Sequence, residues 1–547
     1  MDKPPKYNQW TKEALVKRVE LLEEELKNAG GERPLSPTKG AGKKKRKSID
    51  PSRYSTRYIA LKFAYLGKNY NGFEYQASGE MPTIEEELWK ALVKSCLIFP
   101  ERPDEVDWTC CEYSKCGRTD RGVSAFGQVV GLRVRSNKPL RRKRIETAVE
   151  GGEGEGNAAT EKASEQEAEE VEEDNAPYPV ADELAYCRVL NSVLPPDIRC
   201  YAWCPTPPPD FSARFSCRER QYRYFFTQPA LPPVPSALED NSNAPVAGRL
   251  KDGFLDIDAM RKAAKLFEGL HDFRNFCKID PSKQITNFLR RVYEADISEV
   301  SDVDTALPYL SRPEFLGDTM PPGRYPKVYS FDVRGSAFLW HQIRHMVAII
   351  FLVGQGLEPP SIVTELLDVA KNPRKPNYVL AEDTPLVLWD CLFGRELGEG
   401  GGDELDWVYV GADEPLSLYG TKGSLADQLW KTWSERKMDE ILANRLLDWV
   451  TTRTDVARAA AEGGASKRSA SQRLFEGGGA ARYAGTYVPV LKRPLLQSPE
   501  EVNDKWAQRK GFANAEEMRA KGNGNWRDAV RAAGADGKDG EMDENVE

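Results

Sequence analysis

Hydrophobic and polar residues alternate in several short runs of this chain, which is the period expected of β-strands with one buried face. Strands are therefore predicted at residues 58–65, 128–134, 200–204, 220–226, 290–297, 329–334 and 385–391. Elsewhere apolar residues recur at the helical period. Helices are predicted at residues 10–27, 83–97, 184–193, 258–270, 339–350 and 425–450, with a transient helix at 513–521, and the basic run 141–144 is expected to open another. The residues TIEE at 83–86 predict a capping box at the start of the helix at 83–97. The pattern predicts a chain that mixes strands and helices.

The loop before the strand at 128–134 carries the densest chemistry in the sequence. It reads KCGRTDRGVSA from residue 115 to residue 125, and its two glycines suit a tight turn. The guanidinium groups of Arg118 and Arg121 would keep Asp120 ionised, because a nearby cation favours the charged carboxylate. An ionised, immobile carboxylate can act as a nucleophile or a general base. A surface turn with a solvated ion pair is the other interpretation of these residues.

Charge is distributed unevenly along the chain. The net charge is −8 over 547 residues, of which residues 146–174 contribute −11 and residues 536–547 contribute −5. Without these two acidic segments the remaining residues have a net charge of +8. The part expected to fold is therefore basic, as phosphate binding requires.

Composition divides the chain into segments. The predicted segments are an N-terminal amphipathic, coiled-coil-like helix (1–30), a disordered basic linker (31–57), an N-terminal folded domain (58–205) interrupted by a disordered acidic insertion (146–177), a C-terminal folded domain (206–394) and a partly helical extension with a disordered end after residue 509 (395–547). The heptad stripe of the first segment suits docking on the body or pairing with a second copy. The run KKKRK at 43–47 suits nuclear import or an RNA contact.

Metal, cofactor and membrane sites are not expected from the sequence. Ten cysteines and three histidines occur without a C-x-x-C pair or a second pair at zinc-ligand spacing. We expect reduced, mostly buried thiols of an intracellular protein, no metal and no cofactor. No apolar run reaches the roughly eighteen residues of a membrane span, so no membrane association is expected.

Three motifs, in the same order along the chain, resemble those of the TruA family of tRNA pseudouridine synthases. The segment GRTDRGVSA at 117–125 resembles the family signature G-R-T-D-x-G-V-x-A. The residues ARF at 213–215 and YRY at 222–224 resemble a second motif, and GSAFLWHQIRHMV at 335–347 resembles a third. The resemblance covers about residues 58–394 without the acidic insertion.

The resemblance implies a role for each candidate residue. Asp120 would be the catalytic nucleophile, and Arg118 would pair with it. Tyr222 would lie against the target base, as an aromatic face or a phenol can. Arg344 would reach Asp120 or the bound nucleotide. The substrate-binding cations would be Arg121 and Arg214, the latter as a contact to the RNA backbone.

The same resemblance implies a fold and a reaction. The fold would be α+β, with two similar domains of mostly antiparallel sheets and helices that form a basic RNA-binding cleft. The reaction would be isomerisation of uridine to pseudouridine, with no cofactor. The N-terminal heptads, the catalytic segment and YVPVLKRP at 487–494 resemble the eukaryotic branch of the family, which modifies positions 38 and 39 in the anticodon arm of tRNA.

That branch implies tRNA as the partner. The basic run at 43–47 favours a location in the nucleus with a share in the cytoplasm, and dimerisation in the family together with the heptad helix favours a homodimer. Three alternatives are open from the sequence. One is an enzyme of the same family with another or broader uridine specificity. The others are a non-catalytic tRNA-binding or tRNA-folding protein, and a coiled-coil interaction protein in which the enzyme body serves as a scaffold.

Overall fold

The structure is a computed structural model. It describes residues 49–77, 79–139, 142–143, 170–171, 178–235, 250–303, 307–316, 323–394, 405–412, 414–453, 472–477, 481–484 and 486–521. The predicted N-terminal helix, the basic run at 43–47, most of the acidic insertion and residues 522–547 lie outside the described residues.

One mixed sheet organises the described part of the chain. Its strands are β1 (Tyr54–Tyr65), β2 (Ser114–Lys115), β3 (Ser124–Pro139), β6 (Ile198–Cys204), β7 (Glu219–Gln228), β8 (Gly269–Asp272), β9 (Leu289–Glu299), β10 (Lys327–Gly335), β11 (Leu386–Leu392) and β12 (Val408–Tyr409). They lie in the order β12–β6–β1–β3–β11–β7–β10–β9–β8, and β2 pairs with β3 beside this path. Two short pairs lie outside this sheet, β4 (Arg142–Lys143) with β5 (Glu170–Val171) and β13 (Gln472–Leu474) with β14 (Arg482–Ala484).

Helices pack on this sheet, and others come after its last strand in the sequence. They are α1 (Ile84–Lys94), α2 (Tyr186–Asn191), α3 (Ile257–Lys265), α4 (Pro313–Leu316), α5 (Gln342–Gly354), α6 (Ile362–Leu367), α7 (Pro415–Leu418), α8 (Leu425–Thr451), α9 (Pro499–Arg509) and α10 (Ala515–Ala520). The capping box expected from the sequence is present at α1, where Thr83 and Glu86 exchange side-chain-to-backbone hydrogen bonds. A mostly antiparallel sheet with helices confirms the predicted α+β class.

The centre of the sheet is the parallel pairing of β3 with β11, where Val387 lies opposite Ser124 and Leu388 opposite Ala125. The other pairings in the sheet are antiparallel. A core of β1, β3 and β6 side chains with α1 and α2 lies on one side of this centre. A second core joins β7, β9 and β10 to α3, α5 and α6. The loop that enters β3 is therefore brought against the start of α5.

Several predicted elements differ in extent or type. β1 begins at Tyr54 rather than at residue 58, because it pairs with β3 as far as Pro139. The basic run at 141–144 does not open a helix; Arg142 and Lys143 pair with β5 instead, a partner that local propensity cannot reveal. The helix predicted at 258–270 ends at Lys265, and Gly269 follows with a φ of +114° in an edge strand.

The C-terminal extension also departs from expectation. The long helix α8 is present, but its apolar stripe is largely exposed, with Leu429 at 47% and Leu442 at 62%. After residue 509 the sequence predicts a largely disordered end with a transient helix at 513–521. Among the described residues this helix is present as α10, which packs on α9 through Ala507 and Met518. No described helix has the length and apolar composition needed to cross a bilayer.

Candidate active site

The loop between β2 and β3 is held from both neighbouring strands. The side chain of Gln128 on β3 accepts a hydrogen bond from the backbone N–H of Gly117 at 3.1 Å and donates to its carbonyl at 2.9 Å. The hydroxyls of Tyr65 on β1 and Thr119 lie 2.7 Å apart, and the backbone N–H of Phe73 donates to the Thr119 carbonyl at 3.0 Å. Because these groups are buried, the loop is fixed in place.

Asp120 projects from this loop towards the segment that precedes α5. The indole N–H of Trp340 donates to Asp120 Oδ1 at 3.1 Å. His341 Nε2 lies 3.4 Å from Oδ2. Burial raises the pKa of Asp120 to about 6, against the nearby charge of Arg344 and the hydrogen bond from Trp340, which lower it. Asp120 is therefore mostly ionised at neutral pH, although it is only 22% exposed.

His341 approaches Asp120 as a neutral imidazole. Burial, together with the charges of Arg344, Lys278 and Lys375, lowers the pKa of His341 to about 3. Its backbone lies in the left-handed region, with φ at +61°, a conformation that costs energy for a residue with a Cβ. The turn before α5 thus places Trp340 and His341 side by side at the carboxylate. A neutral imidazole lets Asp120 keep its charge for chemistry rather than for an ion pair.

Arg344 lies in the first turn of α5 and is 12% exposed. Its Nε donates to the carbonyl of Ala381 at 2.7 Å, and its Nη2 lies 3.7 Å from Asp383 Oδ2. The carboxylate within ion-pair distance of Arg344 is therefore Asp383 rather than Asp120, whose pKa Arg344 lowers through space. Asp383 acts in the opposite direction and raises the pKa of Asp120. The cations Arg344 and Lys278 and the anion Asp383 thus act in opposite directions on the pKa of the same carboxylate.

The predicted ion pair between Arg118 and Asp120 is not formed. Arg118 Nη1 lies 3.5 Å from Glu74 Oε2, because the segment between β1 and α1 brings that carboxylate beside it. Arg121 does not flank Asp120 as an ion-pair partner either; its Nη2 contacts the sulfur of Met81 at 3.6 Å. The cation that lowers the pKa of Asp120 most comes instead from α5.

Tyr222 and Arg214 line the same cavity as Asp120. Tyr222 sits on β7 between β10 and β11, opposite Val333 and Leu388. Its ring meets Phe338 edge-on, with centroids 5.4 Å apart at 83°. Burial raises the pKa of Tyr222 well above its ordinary value, so the phenol stays neutral. Arg214 lines the same cavity, as do Arg118 and Arg121.

These residues line one cavity of about 680 Å³. Its cationic lining residues are Lys115, Arg118, Arg121, Arg214, Arg220, Lys278, Lys283, Arg290, Arg344 and Arg519, and its acidic ones are Glu74, Asp120 and Asp280. Positive charge therefore dominates around the one carboxylate that Trp340 holds. A larger cavity of about 800 Å³, lined by residues 205–212 among others, contains none of the predicted site residues. The first cavity is the site that chemistry favours.

The sequence did not assign roles to Trp340, His341, Lys278 or Asp383. Lys278 Nζ lies over the face of the Trp340 ring, 4.4 Å from the centroid, while the indole N–H at the ring edge donates to Asp120. Two contacts of different kinds therefore hold the indole. The available signal was the position of Trp340 and His341 in the third motif, directly before an apolar helix. What those residues contact depends on the approach of α5 to the loop, which periodicity does not report.

The arrangement combines three capacities. A mostly ionised carboxylate lies inside a largely buried cavity, which makes it reactive and shields it from bulk water. Tyr222 and Phe338 offer aromatic surface of the size of a nucleobase. The surrounding cations can bind phosphate groups. Such a set suits attack on a nucleotide within a nucleic acid.

Comparisons with known proteins point the same way. Residues 263–394 match the family model described as tRNA pseudouridine synthase. A Saccharomyces cerevisiae protein named tRNA pseudouridine(38/39) synthase is 34% identical over 93% of each chain. A Homo sapiens protein of the same name is 37% identical over 73% of this chain and 68% of its own length. A Methanothrix thermoacetophila protein, tRNA pseudouridine synthase A, is 28% identical over 57% of this chain and 74% of its own. On this similarity the chain belongs to the family of tRNA pseudouridine synthases.

Proposed function

We propose that this protein isomerises uridine to pseudouridine at positions 38 and 39, in the anticodon arm of tRNA, with Asp120 as the nucleophile. The observation that carries the proposal is the mostly ionised Asp120 carboxylate in a cavity lined by Tyr222 and by cations. The names of the yeast and human relatives support the choice of substrate and position.

The reaction breaks the bond between ribose C1′ and uracil N1, turns the base, and forms a bond between C1′ and C5. N1 gains a proton and C5 loses one, so the product has the composition of the substrate. Attack of Asp120 on C1′ and attack on the uracil ring both use the same ionised oxygen. An Asp120 bonded to C1′ is displaced by C5 as the new bond forms, whereas an Asp120 bonded to the ring is eliminated as C5 loses its proton.

The target uridine must leave its stack to reach the cavity. The neutral Tyr222 ring would lie against the opened base, and Phe338 would hold that ring edge-on. Arg344 would keep Asp120 ionised as the surrounding water is displaced, because its charge favours the anion. Arg118, Arg121 and Arg214 would neutralise backbone phosphates at the rim of the cavity.

The first experiment maps pseudouridine in tRNA that lacks it, after treatment with the wild-type protein or with Asp120→Asn. Asparagine keeps the shape of the side chain and removes its charge, so RNA binding is expected to survive while modification is lost. Pseudouridine at positions 38 and 39 with the wild-type protein alone is the expected result. Modification at other uridines would correct the specificity and leave the chemistry. Binding of tRNA by both proteins with modification by neither would overturn the enzymatic proposal.

We also propose that the chain forms a homodimer. The support is the heptad stripe at residues 10–27, which two copies could bury against each other. Light scattering of the full chain and of a chain lacking residues 1–30 tests this. A dimeric mass for the first and a monomeric mass for the second is expected, and a monomeric full chain at micromolar concentration would contradict it.

We propose in addition that the protein is located in the nucleus, with a share in the cytoplasm. The support is the run KKKRK at 43–47, since consecutive cations suit nuclear import. Replacing these five residues by alanine in a fluorescent fusion should move the protein to the cytoplasm. An unchanged nuclear signal would remove this run as the import signal.

A further inference from the structure

Three cysteines from distant parts of the chain meet beside the candidate active site, whose cavity Cys116 also lines. The Sγ atoms of Cys116, Cys217 and Cys391 all lie within 4.8 Å of one another. Their side chains are buried, at 5%, 2% and 0% exposure. The first follows β2, the second precedes β7 and the third lies on β11. The folding of the sheet therefore brings the three cysteines together, and their spacing in the sequence matches no metal-binding motif.

The backbone fixes each member of the cluster. The N–H of Cys116 donates to the carbonyl of Val129 on β3 at 2.9 Å, and the next residue, Gly117, is bonded to Gln128 of the same strand. Cys391 pairs across β11 and β7 with Arg220. The thiol of Cys217 contacts the carbonyl of Glu219 at 3.3 Å. The three sulfur atoms are thus presented by anchored segments, as a preformed ligand set requires.

A buried cation lies beside the three sulfur atoms. Arg220 is 7% exposed, and its guanidinium donates to the carbonyls of Ser336, Cys116 and Arg214 at 2.7, 3.3 and 3.1 Å. Among the described residues no carboxylate lies within ion-pair distance of it, whereas it interacts electrostatically with all three cysteines. A buried charge is costly unless an opposite charge compensates it. Negative charge on the sulfur cluster would supply that compensation.

The spacing of the sulfur atoms is close to that of a metal–thiolate centre. Zinc–sulfur bonds of about 2.3 Å place the ligand atoms about 4 Å apart. Small side-chain rotations would bring three sulfur atoms that already lie within 4.8 Å to this separation. In the part of the chain that the structure describes, no imidazole or carboxylate joins the group. Thiolates without oxygen or nitrogen ligands favour soft, closed-shell ions.

We propose that Cys116, Cys217 and Cys391 form a trithiolate binding site for a thiophilic d¹⁰ metal ion, Zn²⁺ or Cu⁺. Binding releases the three thiol protons. With Zn²⁺ the centre has a charge of −1, which Arg220 balances, and the fourth ligand is water. With Cu⁺ the three sulfur atoms complete the coordination. In both cases the ion joins the segment before the Asp120 loop to β11 and to the turn that enters β7.

Metal analysis of the full chain tests the site. The protein is purified anaerobically, stripped with a chelator, incubated separately with Zn²⁺ and with Cu⁺, desalted and measured by elemental analysis. One of the two ions should be retained at about one per chain. Native mass spectrometry should show the bound ion with the loss of the thiol protons. The ion retained in a mixture of the two identifies the preferred metal.

Single alanine variants at Cys116, Cys217 and Cys391 should each lose retention of the ion. The matched control is Cys187→Ala, which removes a buried thiol of α2 outside the cluster and should keep it. If a variant does not fold, the wild-type protein is instead unfolded by heat with and without the retained ion. The ion should raise the Tm. Failure of the wild type to retain either ion above the level of the triple variant, or of a chelator-stripped chain to gain thermal stability from either, would overturn the site.

Discussion

Trp340 donates its indole N–H to Asp120 Oδ1 at 3.1 Å, joining two motifs that are 220 residues apart in the sequence. The donor comes from the turn before α5 and the acceptor from the loop between β2 and β3. The proposed nucleophile is therefore oriented by the third motif and not by the arginines of its own loop. Each of the following predictions depends on how this carboxylate is held.

Asp120→Asn should stabilise the folded protein at high pH while it removes activity. The pKa of Asp120 in the folded protein is about 6, above its ordinary value of 3.8. The folded state therefore binds a proton more readily, and the stability present below the ordinary pKa is lost as pH rises through about 6. At pH 8 the free energy of unfolding of Asp120→Asn should exceed that of the wild type by on the order of 2 kcal/mol.

Urea unfolding at pH 8 and at pH 4 measures this difference, which should nearly vanish at the lower pH. The control is Asp258→Asn, since that side chain is 82% exposed and should change stability little at either pH. Equal stability of wild type and Asp120→Asn at pH 8 would contradict a costly buried carboxylate.

Trp340→Phe should shift the acidic limb of the rate profile to higher pH. The hydrogen bond from Trp340 lowers the pKa of Asp120, so its removal raises that pKa and leaves less carboxylate ionised near pH 6. Phenylalanine keeps an aromatic ring for Lys278 to contact. The single-turnover rate, measured from pH 5 to pH 8, should therefore fall more at pH 6 than at pH 8.

Trp433→Phe is the control for this profile, because Trp433 is 52% exposed on α8 and lines neither cavity. It should give the wild-type curve. A Trp340→Phe profile that is lowered equally at all pH values would show that the indole positions substrate rather than tuning Asp120.

Arg344→Gln and Asp383→Asn should move the same profile in opposite directions. Arg344 lowers the pKa of Asp120 and Asp383 raises it. Removing the cation should therefore move the acidic limb to higher pH, and removing the anion should move it to lower pH. About half of Asp120 is ionised at pH 6, so a pKa one unit higher lowers the ionised fraction about fivefold and a pKa one unit lower raises it less than about twofold. Arg344→Gln should therefore slow the reaction at pH 6 about fivefold, and Asp383→Asn should speed it by up to about twofold. Shifts of both variants in one direction would contradict this assignment.

Gly67→Ala should destabilise the protein through the same loop. A Cβ at Gly67 would lie 2.0 Å from the carbonyl oxygen of Val123, which is backbone and cannot move aside cheaply. We expect a loss of about 1–3 kcal/mol in unfolding free energy and a lower modification rate. Gly323→Ala is the control, because its Cβ would meet only a side-chain atom of Tyr325 at 3.7 Å. A Gly67→Ala protein with unchanged Tm would refute the close approach.

Much of the secondary structure could be predicted because its signals are local. Alternating residues located the central strands, and the capping box at Thr83 located the start of α1. Locality also explains the errors. The run at 141–144 was predicted to open a helix, but Arg142 and Lys143 pair with β5, which is distant in sequence. The apolar residues of α8 have the period of a buried face, yet no described element covers most of them.

The candidate residues were predicted by motif, and their partners were not. Arg118 is two residues from Asp120, yet its guanidinium contacts Glu74, because side-chain direction in a turn is set by tertiary contacts rather than by sequence distance. Trp340 and His341 belong to the third motif, at 335–347, but the sequence assigned them no role. The cluster of Cys116 with two other cysteines had no signal at all, since metal-ligand spacing rules apply to neighbours in sequence.

The sequence by itself determined the α+β class, most of the central strands, the family, and Asp120, Tyr222 and Arg344 as candidates. These follow from periodicity and motifs, which are properties of neighbouring residues. The tertiary structure decided the pairing of β3 with β11, which brings the loop of Asp120 to α5 and three cysteines to one point. Contacts across hundreds of residues depend on which surfaces pack together, and the free energy of that packing is shared by the whole sheet.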